Sequence, residues 1–341
     1  MINTLISFKR IKLYKFFLLY LIKPIYDLIW QYIINFQGKI LYFLWFIKKK
    51  KLIDLENNDK KLIENNNNIK NLAEKIYNHC SLSIIKDSRE ELFDEKISSI
   101  NKTNSGEKKY NQDIFDRISS DLKKEIFELA HSEILISTAA KYLKVFPILG
   151  KVLLYHNVPN KPEEVRGAMY WHKDDFGYRS LDLFVAITDV DEENGPLSTI
   201  KQKNIYGIFS KSSEENKSQN MAGERGKITD NHFEKLDENN ILTLKGKKGT
   251  SLLIDSFTAY HRGGHCLSKD RIMLRFSYQT PDSVRIQSSG FHKIEEFNKL
   301  KQNFSLNIFL KYLYGKKPSK IIIILRNYLM KFYRIIHIKE N

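Results

Sequence analysis

The second half of the chain alternates short apolar runs with turn residues, and this pattern limits the available folds more than any other feature of the sequence. The runs are at most eight residues long, and no helical period of apolar residues lies between them. They occupy residues 152–155, 169–171, 181–188, 241–244, 251–254 and 272–278. Strands of this length without intervening helices predict an all-β barrel or sandwich.

The residues before this β region have a different periodicity. Between residues 113 and 143, apolar side chains recur at helical spacing, which predicts one or two helices. Closer to the N-terminus, the Asn-rich residues 53–70 are predicted to be a polar linker at a domain boundary. Within the β region, the polar residues 211–240 are predicted to form a lid or an unstructured insertion.

The net charge of +16 is concentrated at the two ends of the chain. Residues 1–51 contain ten Lys and Arg against one acidic residue, and residues 301–341 contain nine against one. The residues between these ends are close to neutral overall. A nucleic-acid enzyme usually carries its basic surface on the domain that performs the chemistry, so no nucleic-acid partner is expected.

The basic ends are also rich in aromatic and aliphatic residues. We expect the N-terminal segment 1–52 and the helical C-terminal segment 301–341 to contact the surface of an anionic membrane. Two alternatives stay open: both segments pack on the main domain as amphipathic helices, or residues 28–47 span a membrane despite an interrupting lysine. Two cysteines, Cys80 and Cys266, are too few for a disulfide framework, which predicts a reducing compartment such as the cytoplasm.

A His-x-Asp pair lies on one predicted strand. His172 and Asp174 are two residues apart, so on a strand their side chains point to the same face and could reach one metal ion. His261, downstream, is a candidate for the third ligand. Two imidazoles and one carboxylate on one side of an ion leave the opposite positions open, an arrangement suited to Fe(II) and oxygen chemistry. Arg271, at the start of a later strand, could bind a carboxylate through two parallel hydrogen bonds.

Each of these ligand candidates also has a purely structural interpretation. His172 could lie at a strand edge, Asp174 in a turn and His261 in a polar loop. Other residues of ligand type have no partner at ligand spacing, and we expect them to be structural. These are His156, His265 and Cys266.

Three longer motifs resemble those of the phytanoyl-CoA dioxygenase-like family of Fe(II)/2-oxoglutarate-dependent oxygenases. They are WHKDD at 171–175, DLFVAITDVDEENGPL at 182–197, and GTSLLIDSFTAYHRGG at 249–264. The resemblance implies a mainly β core, a double-stranded β-helix (jelly roll), with preceding α-helices and amphipathic helical ends. It places the oxygenase domain at 71–300, with its jelly-roll core at about 145–282.

The resemblance also implies roles for individual residues. His172, Asp174 and His261 resemble the catalytic iron triad of the family. Arg271 resembles the residue that anchors the far carboxylate of the co-substrate 2-oxoglutarate, and Arg275 on the same strand competes with it for that role.

Two further residues lie where the family often places additional contacts to 2-oxoglutarate. They are Thr188, at the end of one predicted strand, and Tyr155, on the strand before the triad. In one place the chain departs from the family pattern, because residues 201–204 read Lys-Gln-Lys-Asn where the family usually has Pro-Gly-Ser-His. This loop helps to shape the substrate side, so the family does not predict the substrate here.

The activity implied is that of an Fe(II)- and 2-oxoglutarate-dependent dioxygenase. It would use O2 to hydroxylate an unidentified small-molecule or lipid-linked substrate while 2-oxoglutarate is decarboxylated to succinate. Because Asp174 is present, hydroxylation is expected instead of halogenation. The alternatives are a non-catalytic jelly-roll binding protein and a scaffold protein at a membrane surface. The expected location is cytoplasmic, peripheral at the membrane.

Overall fold

The computed structural model describes residues 35–36, 38–47, 50–55, 60–64, 66–80, 83–93, 111–159, 167–174, 179–200 and 238–280. Helix α1 spans residues 38–46. The later helices are α2 (Asn67–Cys80), α3 (Ser83–Phe93), α4 (Ser120–Ala130) and α5 (Glu133–Leu143). The last two lie in the region for which the apolar spacing predicts one or two helices, and this prediction is confirmed.

Nine strands are named within the described residues. They are β1 (Lys60–Ile63), β2 (Asn111–Asp113), β3 (Ile148–Asn157), β4 (Ser180–Ala186), β5 (Ser198–Ile200), β6 (Ile241–Thr243), β7 (Ser251–Ile254), β8 (His261–Arg262) and β9 (Arg271–Gln279). They form a six-stranded sheet of order β1-β7-β4-β9-β3-β2 and a three-stranded sheet of order β6-β5-β8. All pairings are antiparallel.

The order of the strands identifies the architecture as a jelly roll. A bridge between His172 and His261 adds residues 171–172 to the smaller sheet, next to β8. With that bridge, the chain passes from β3 in the larger sheet to 171–172 in the smaller one, and it crosses between the sheets repeatedly up to β9. Such repeated crossing produces a double-stranded β-helix. The predicted mainly β core with preceding helices is confirmed.

Strand β9 shows how the two layers of the core are organised. It is buried along its whole length, and successive side chains point to opposite faces. Ile272, Leu274 and Phe276 belong to the large hydrophobic cluster that includes residues of the helices. On the other face, Met273 packs in a smaller cluster with residues of β4 and β7 such as Phe184. The second face also carries the polar residues of the site.

The predicted linker at 53–70 contains two structured elements instead. Lys60–Ile63 forms β1 and pairs with β7, and Lys60 is buried and donates a hydrogen bond to the backbone carbonyl of Ile200 at 2.9 Å. The Asn-rich run ends in a helix cap, because Asn66 Oδ1 accepts from the backbone N–H groups of Asn68 and Ile69, both at 3.1 Å. Asn is a preferred residue at helix N-termini, so part of the Asn-rich run that predicted a linker is instead the start of α2.

Helix α1 lies in the predicted N-terminal segment 1–52 and packs on the domain with one face. Leu41 and Trp45 are buried in the large cluster, and Trp45 Nε1 donates to Ser137 Oγ at 2.8 Å.

Among the described residues, no helix is long and apolar enough to cross a membrane. Residues 1–34, 201–237 and 281–341 lie outside the described residues, so the C-terminal segment 301–341 and the lid at 211–240, except for a 3-10 turn at Glu238–Asn240, stay predictions.

Candidate active site

Backbone pairing places the two candidate histidine ligands side by side. The His172 N–H donates to the carbonyl of His261 at 3.0 Å, and the His261 N–H donates to the carbonyl of His172 at 2.9 Å. Residues directly opposite each other in an antiparallel pair direct their side chains to the same face. The two imidazole rings accordingly lie with their centroids 4.4 Å apart.

Asp174 joins the histidines from the same short extended stretch as His172. Its backbone N–H donates to the carbonyl of Ser256 at 2.8 Å. Its carboxylate lies between the rings, with Oδ1 3.9 Å from His172 Nε2 and Oδ2 3.8 Å from His261 Nε2. All three side chains are buried, and their ligand atoms lie within 4.8 Å of one another.

The outer nitrogens of both rings are held by backbone carbonyl groups. His172 Nδ1 lies 2.8 Å from the carbonyl oxygen of Tyr170, and His261 Nδ1 lies 3.1 Å from that of Ala259. A carbonyl oxygen can only accept, so in each ring Nδ1 carries the proton and Nε2 keeps a lone pair. Such a bond to the outer nitrogen is the usual way in which proteins orient a metal-binding histidine.

Burial and neighbouring charges set the protonation states of the site. Burial lowers the pKa of His261, and the Asp174 carboxylate opposes this only in part, so the ring is neutral near pH 7. Burial alone would raise the pKa of Asp174, but the Arg275 guanidinium holds it below its usual value. The site therefore offers a neutral imidazole and an ionised carboxylate, which are the forms that bind metals.

The three residues fit a divalent transition-metal ion. With ligand bonds of about 2.1 Å, two atoms on one ion are at most about 4.2 Å apart. His172 Nε2 lies 3.9 Å from Asp174 Oδ1 and His261 Nε2 lies 3.8 Å from Oδ2, and one ligand atom from each of the three residues lies within 4.8 Å of the others, which is close to the spacing that one ion requires. Two imidazoles and one carboxylate match the facial triad of non-haem Fe(II) oxygenases.

Arg275 forms hydrogen bonds with two carboxylates at the site. Its Nη2 donates to Asp174 Oδ2 at 2.5 Å and to Asp182 Oδ2 at 2.6 Å. Asp182 also accepts a hydrogen bond from Ser256. Sequence reasoning did not single out Asp182 or Ser256, because both look like ordinary polar residues of the strands until the register of the sheet is known.

Arg271 is buried at the start of β9, opposite Asn157 of β3. Its guanidinium lies beside β8, because a Cβ atom built on Gly263 would be 3.4 Å from Arg271 Nη2. Thr188 is close to the same strand end, since its Oγ1 accepts from the backbone N–H of Ile272 at 3.2 Å. These two predicted co-substrate residues thus lie at one end of β9.

Tyr155 lies on β3 opposite Met273 of β9. Burial raises the pKa of its phenol to about 12, and the neighbouring Arg275 guanidinium opposes this effect. Its electrostatic interactions with Arg275 and Asp174 show that the phenol lies near the triad. Its predicted contact with 2-oxoglutarate stays a prediction.

Two of the residues expected to be structural, His156 and Cys266, make buried hydrogen bonds to distant parts of the chain. His156 is buried on the opposite face of β3 from Tyr155, with Nδ1 2.9 Å from Ser88 Oγ and Nε2 2.8 Å from Asp270 Oδ2. The Cys266 thiol donates to the carbonyl of Asn194 at 3.2 Å. Both cysteines of the chain are buried and free.

A protein-family model described as phytanoyl-CoA dioxygenase (PhyH) matches residues 70–273. The chain belongs to the phytanoyl-CoA dioxygenase family. Membership in this family and the cluster of His172, Asp174 and His261 confirm the prediction of an iron- and 2-oxoglutarate-dependent oxygenase. No match was found among curated proteins.

Several solved structures are similar to this member of the phytanoyl-CoA dioxygenase family. AviO1 from Streptomyces viridochromogenes Tue57 is 15% identical, with a TM-score of 0.38 over 66% of this chain and 91% of its own. EctD from S. alaskensis, solved with 2-oxoglutarate and 5-hydroxyectoine, is 17% identical, with a TM-score of 0.38 over 65% and 73%. EvdO2 from Micromonospora carbonacea var. aurantiaca, complexed with 2-oxoglutarate, is 16% identical, with a TM-score of 0.29 over 46% and 64%. The fold assignment rests on the strand order and not on these likenesses.

Proposed function

We propose that the protein is a dioxygenase that hydroxylates a small-molecule or lipid-linked substrate and decarboxylates 2-oxoglutarate to succinate. The observation that carries the proposal is the buried cluster of two imidazole groups and one carboxylate inside a jelly roll of this family. A carboxylate occupies the third ligand position, and this supports hydroxylation over halogenation.

The chain's own residues have separate tasks in this proposal. His172, Asp174 and His261 would hold Fe(II) through Nε2 and carboxylate atoms. When bound, the iron would supply the oxidation, with O2 as oxidant. The chain would supply fixed donors, since both rings are already oriented by backbone carbonyls. The burial of all three ligands excludes water from the protein side of the site.

Arg271 is the proposed anchor for the far carboxylate of 2-oxoglutarate. It is a buried guanidinium at the end of β9, next to the strand that carries His261. Arg275 is less suited to the task, because its Nη2 already donates to two carboxylates. Thr188 is proposed to contact the same end of the co-substrate, and Tyr155 the end near the triad.

The proposed reaction can be tested before the substrate is known. Full-length protein purified without oxygen should, with Fe(II), 2-oxoglutarate and O2, release CO2 and form succinate slowly in the absence of a substrate. His172→Ala is the control, since it removes one ligand. Succinate formation no greater than in the control, from wild-type protein that carries one iron per chain, would exclude the proposed reaction.

We also propose that the protein contacts an anionic membrane through its N-terminal segment, with the oxygenase domain facing the cytoplasm. Helix α1 supports this, because its outward face exposes large apolar side chains while Leu41 and Trp45 pack inward. The exposed residues on α1 are Ile40, Phe43 and Leu44, and Phe36 and Ile47 are exposed just before and after it. No acidic residue occurs between Asp27 and Asp54, whereas five lysines do. An apolar face with basic flanks is typical of helices that lie at a membrane surface.

A further inference from the structure

We propose that Arg275 is a positioning residue that fixes the carboxylate of the metal ligand Asp174, and that Asp182 and Ser256 hold Arg275 in place. The inference rests on the proposed function, because it assigns a task at the same metal site. It concerns the orientation of a ligand and not the binding of the co-substrate.

The contacts of Arg275 connect the two sheets. Arg275 lies on β9 and Asp182 on β4, both in the larger sheet, whereas Asp174 follows the 171–172 bridge of the smaller sheet. One nitrogen, Nη2, lies 2.5 Å from Asp174 Oδ2 and 2.6 Å from Asp182 Oδ2. Charge-assisted hydrogen bonds of this kind are the strong ones in proteins. The guanidinium thus links a ligand to the rigid strands of the opposite wall.

The guanidinium itself is held by its surroundings. The register pairs Arg275 with Phe184 across β9 and β4, and the guanidinium carbon lies 4.8 Å from the centroid of the Phe184 ring. Asp182 is fully buried and also accepts from Ser256, whose hydroxyl is 3.1 Å from that of Ser180. An aromatic face and a buried carboxylate leave Arg275 little freedom to turn away from Asp174.

A fixed Arg275 decides which way the Asp174 carboxylate faces. With Oδ2 engaged by Arg275, Oδ1 stays available at 3.9 Å from His172 Nε2. Without this hydrogen bond the carboxylate could rotate, and part of the binding free energy of the ion would be lost in ordering it. Partners outside the ligand set typically change metal affinity about 10- to 100-fold when they are removed.

Charge and orientation have to be separated in the test, because Arg275 also places a positive charge near the ion. Replacing Arg275 and Asp182 together removes one charge of each sign and leaves the net charge of the site unchanged. The variant Arg275→Met/Asp182→Asn therefore removes the hydrogen bond to Asp174 at constant charge. Arg271→Met is the matched control on the same strand, since it also replaces a buried arginine, whose guanidinium lies beside Gly263.

The probe is Mn(II), titrated into full-length metal-free protein and followed by the electron paramagnetic resonance of the free ion. We expect the double variant to bind Mn(II) about 10- to 100-fold more weakly than the wild type. At saturating Mn(II), its affinity for 2-oxoglutarate should change much less. Arg271→Met should show the opposite pattern, with unchanged Mn(II) affinity and weakened 2-oxoglutarate binding.

The possible results separate this inference from the proposed function. Equal Mn(II) affinity in the wild type and the double variant would overturn the role of Arg275 and leave the oxygenase proposal intact. A wild type that binds no Mn(II) would overturn both. If thermal melting shows that the double variant is unfolded, Ser256→Ala alone is measured. This variant changes no charge and removes a hydroxyl that contacts both Asp182 and Arg275, so a several-fold weaker Mn(II) affinity is expected and an unchanged affinity overturns the inference.

Discussion

The backbones of His172 and His261 exchange two hydrogen bonds, at 3.0 and 2.9 Å, between parts of the chain that are far apart in sequence. Main-chain pairing, and not contact between the rings, thus brings the two imidazoles close together. Side-chain replacements at these positions should leave the strand pair in place. The site is therefore well suited to mutational tests.

Replacement of a metal ligand should abolish iron binding without unfolding the protein. We expect His172→Ala and His261→Ala, purified without oxygen and loaded with Fe(II), to contain far less than one iron per chain by elemental analysis. His265→Ala is the matched control, because His265 is near His261 in sequence but outside the cluster. Stoichiometric iron in both ligand variants would show that the ion binds elsewhere.

Arg271→Ala should weaken 2-oxoglutarate binding strongly. Removal of the charged partner of a buried carboxylate typically costs about 2–5 kcal/mol, so the apparent KM for 2-oxoglutarate should rise steeply in assays of succinate formation. The control is Arg262→Ala, since Arg262 is near the site but stacks on Trp171, with 4.4 Å between the guanidinium carbon and the ring centroid. A larger effect in Arg262→Ala would place the anchor on β8.

His131 should make the stability of the protein depend on pH. Burial lowers its pKa to about 3, from an ordinary value of 6.5. Below pH 6.5 the His131 side chain takes up a proton in the unfolded chain but not in the folded chain. The free energy of unfolding is therefore undiminished by this group above pH 6.5 and decreases as the pH falls from 6.5 towards 3. The loss is at most about 1.4 kcal/mol per pH unit for one proton.

Urea unfolding between pH 7 and pH 4 measures this effect. The variant His131→Gln removes the titrating group, so the free energy of unfolding should fall less steeply with decreasing pH than in the wild type. The difference between the two slopes isolates His131 from the other histidines. Parallel slopes would mean that His131 is protonated equally in the folded and unfolded states.

The apolar face of α1 should determine membrane adsorption. Full-length protein is expected to sediment with anionic vesicles, less so at high salt, because each basic residue near such a surface contributes about 1 kcal/mol that salt screens. Ile40→Ser/Phe43→Ser should reduce sedimentation while keeping every charge. Leu267→Ser, which alters another exposed apolar residue, is the control. Equal sedimentation of the double variant and the wild type would contradict the proposed contact.

The sequence predicted some strands of the fold better than others. The strands β4, β6, β7 and β9 were recognisable because each coincides with a run of apolar residues bounded by turn residues. Strands β5 and β8 contain three and two residues, and no local signal can distinguish them from loops. Strand β1 was hidden in the same way, since only pairing with β7 and the burial of Lys60 show that it belongs to the sheet.

The part of the site that could be predicted is the part that depends on spacing along a strand or on the family motifs. His172 and Asp174 are two apart, and the triad follows from that pair and from the family motifs. The contact of Arg275 with Asp182 could not be predicted, because it depends on the register between β4 and β9. The family resemblance favoured Arg271 over Arg275 as the anchor, and the two carboxylates beside Arg275 support the same choice.

The strand order has a consequence for how the chain can fold. Among the described strands β9 comes last in the chain, yet in the larger sheet it lies between the earlier strands β3 and β4. A nascent chain that has not yet delivered β9 would hold β3 and β4 with unpaired edges, and unpaired edges promote aggregation. Completion of the larger sheet must therefore wait for nearly the entire core to be synthesised, and non-local pairing of this kind slows folding. Strand β9 also carries the buried residues Arg271 and Arg275. The pairing of β9 therefore closes the larger sheet and places both arginines in the interior in the same step.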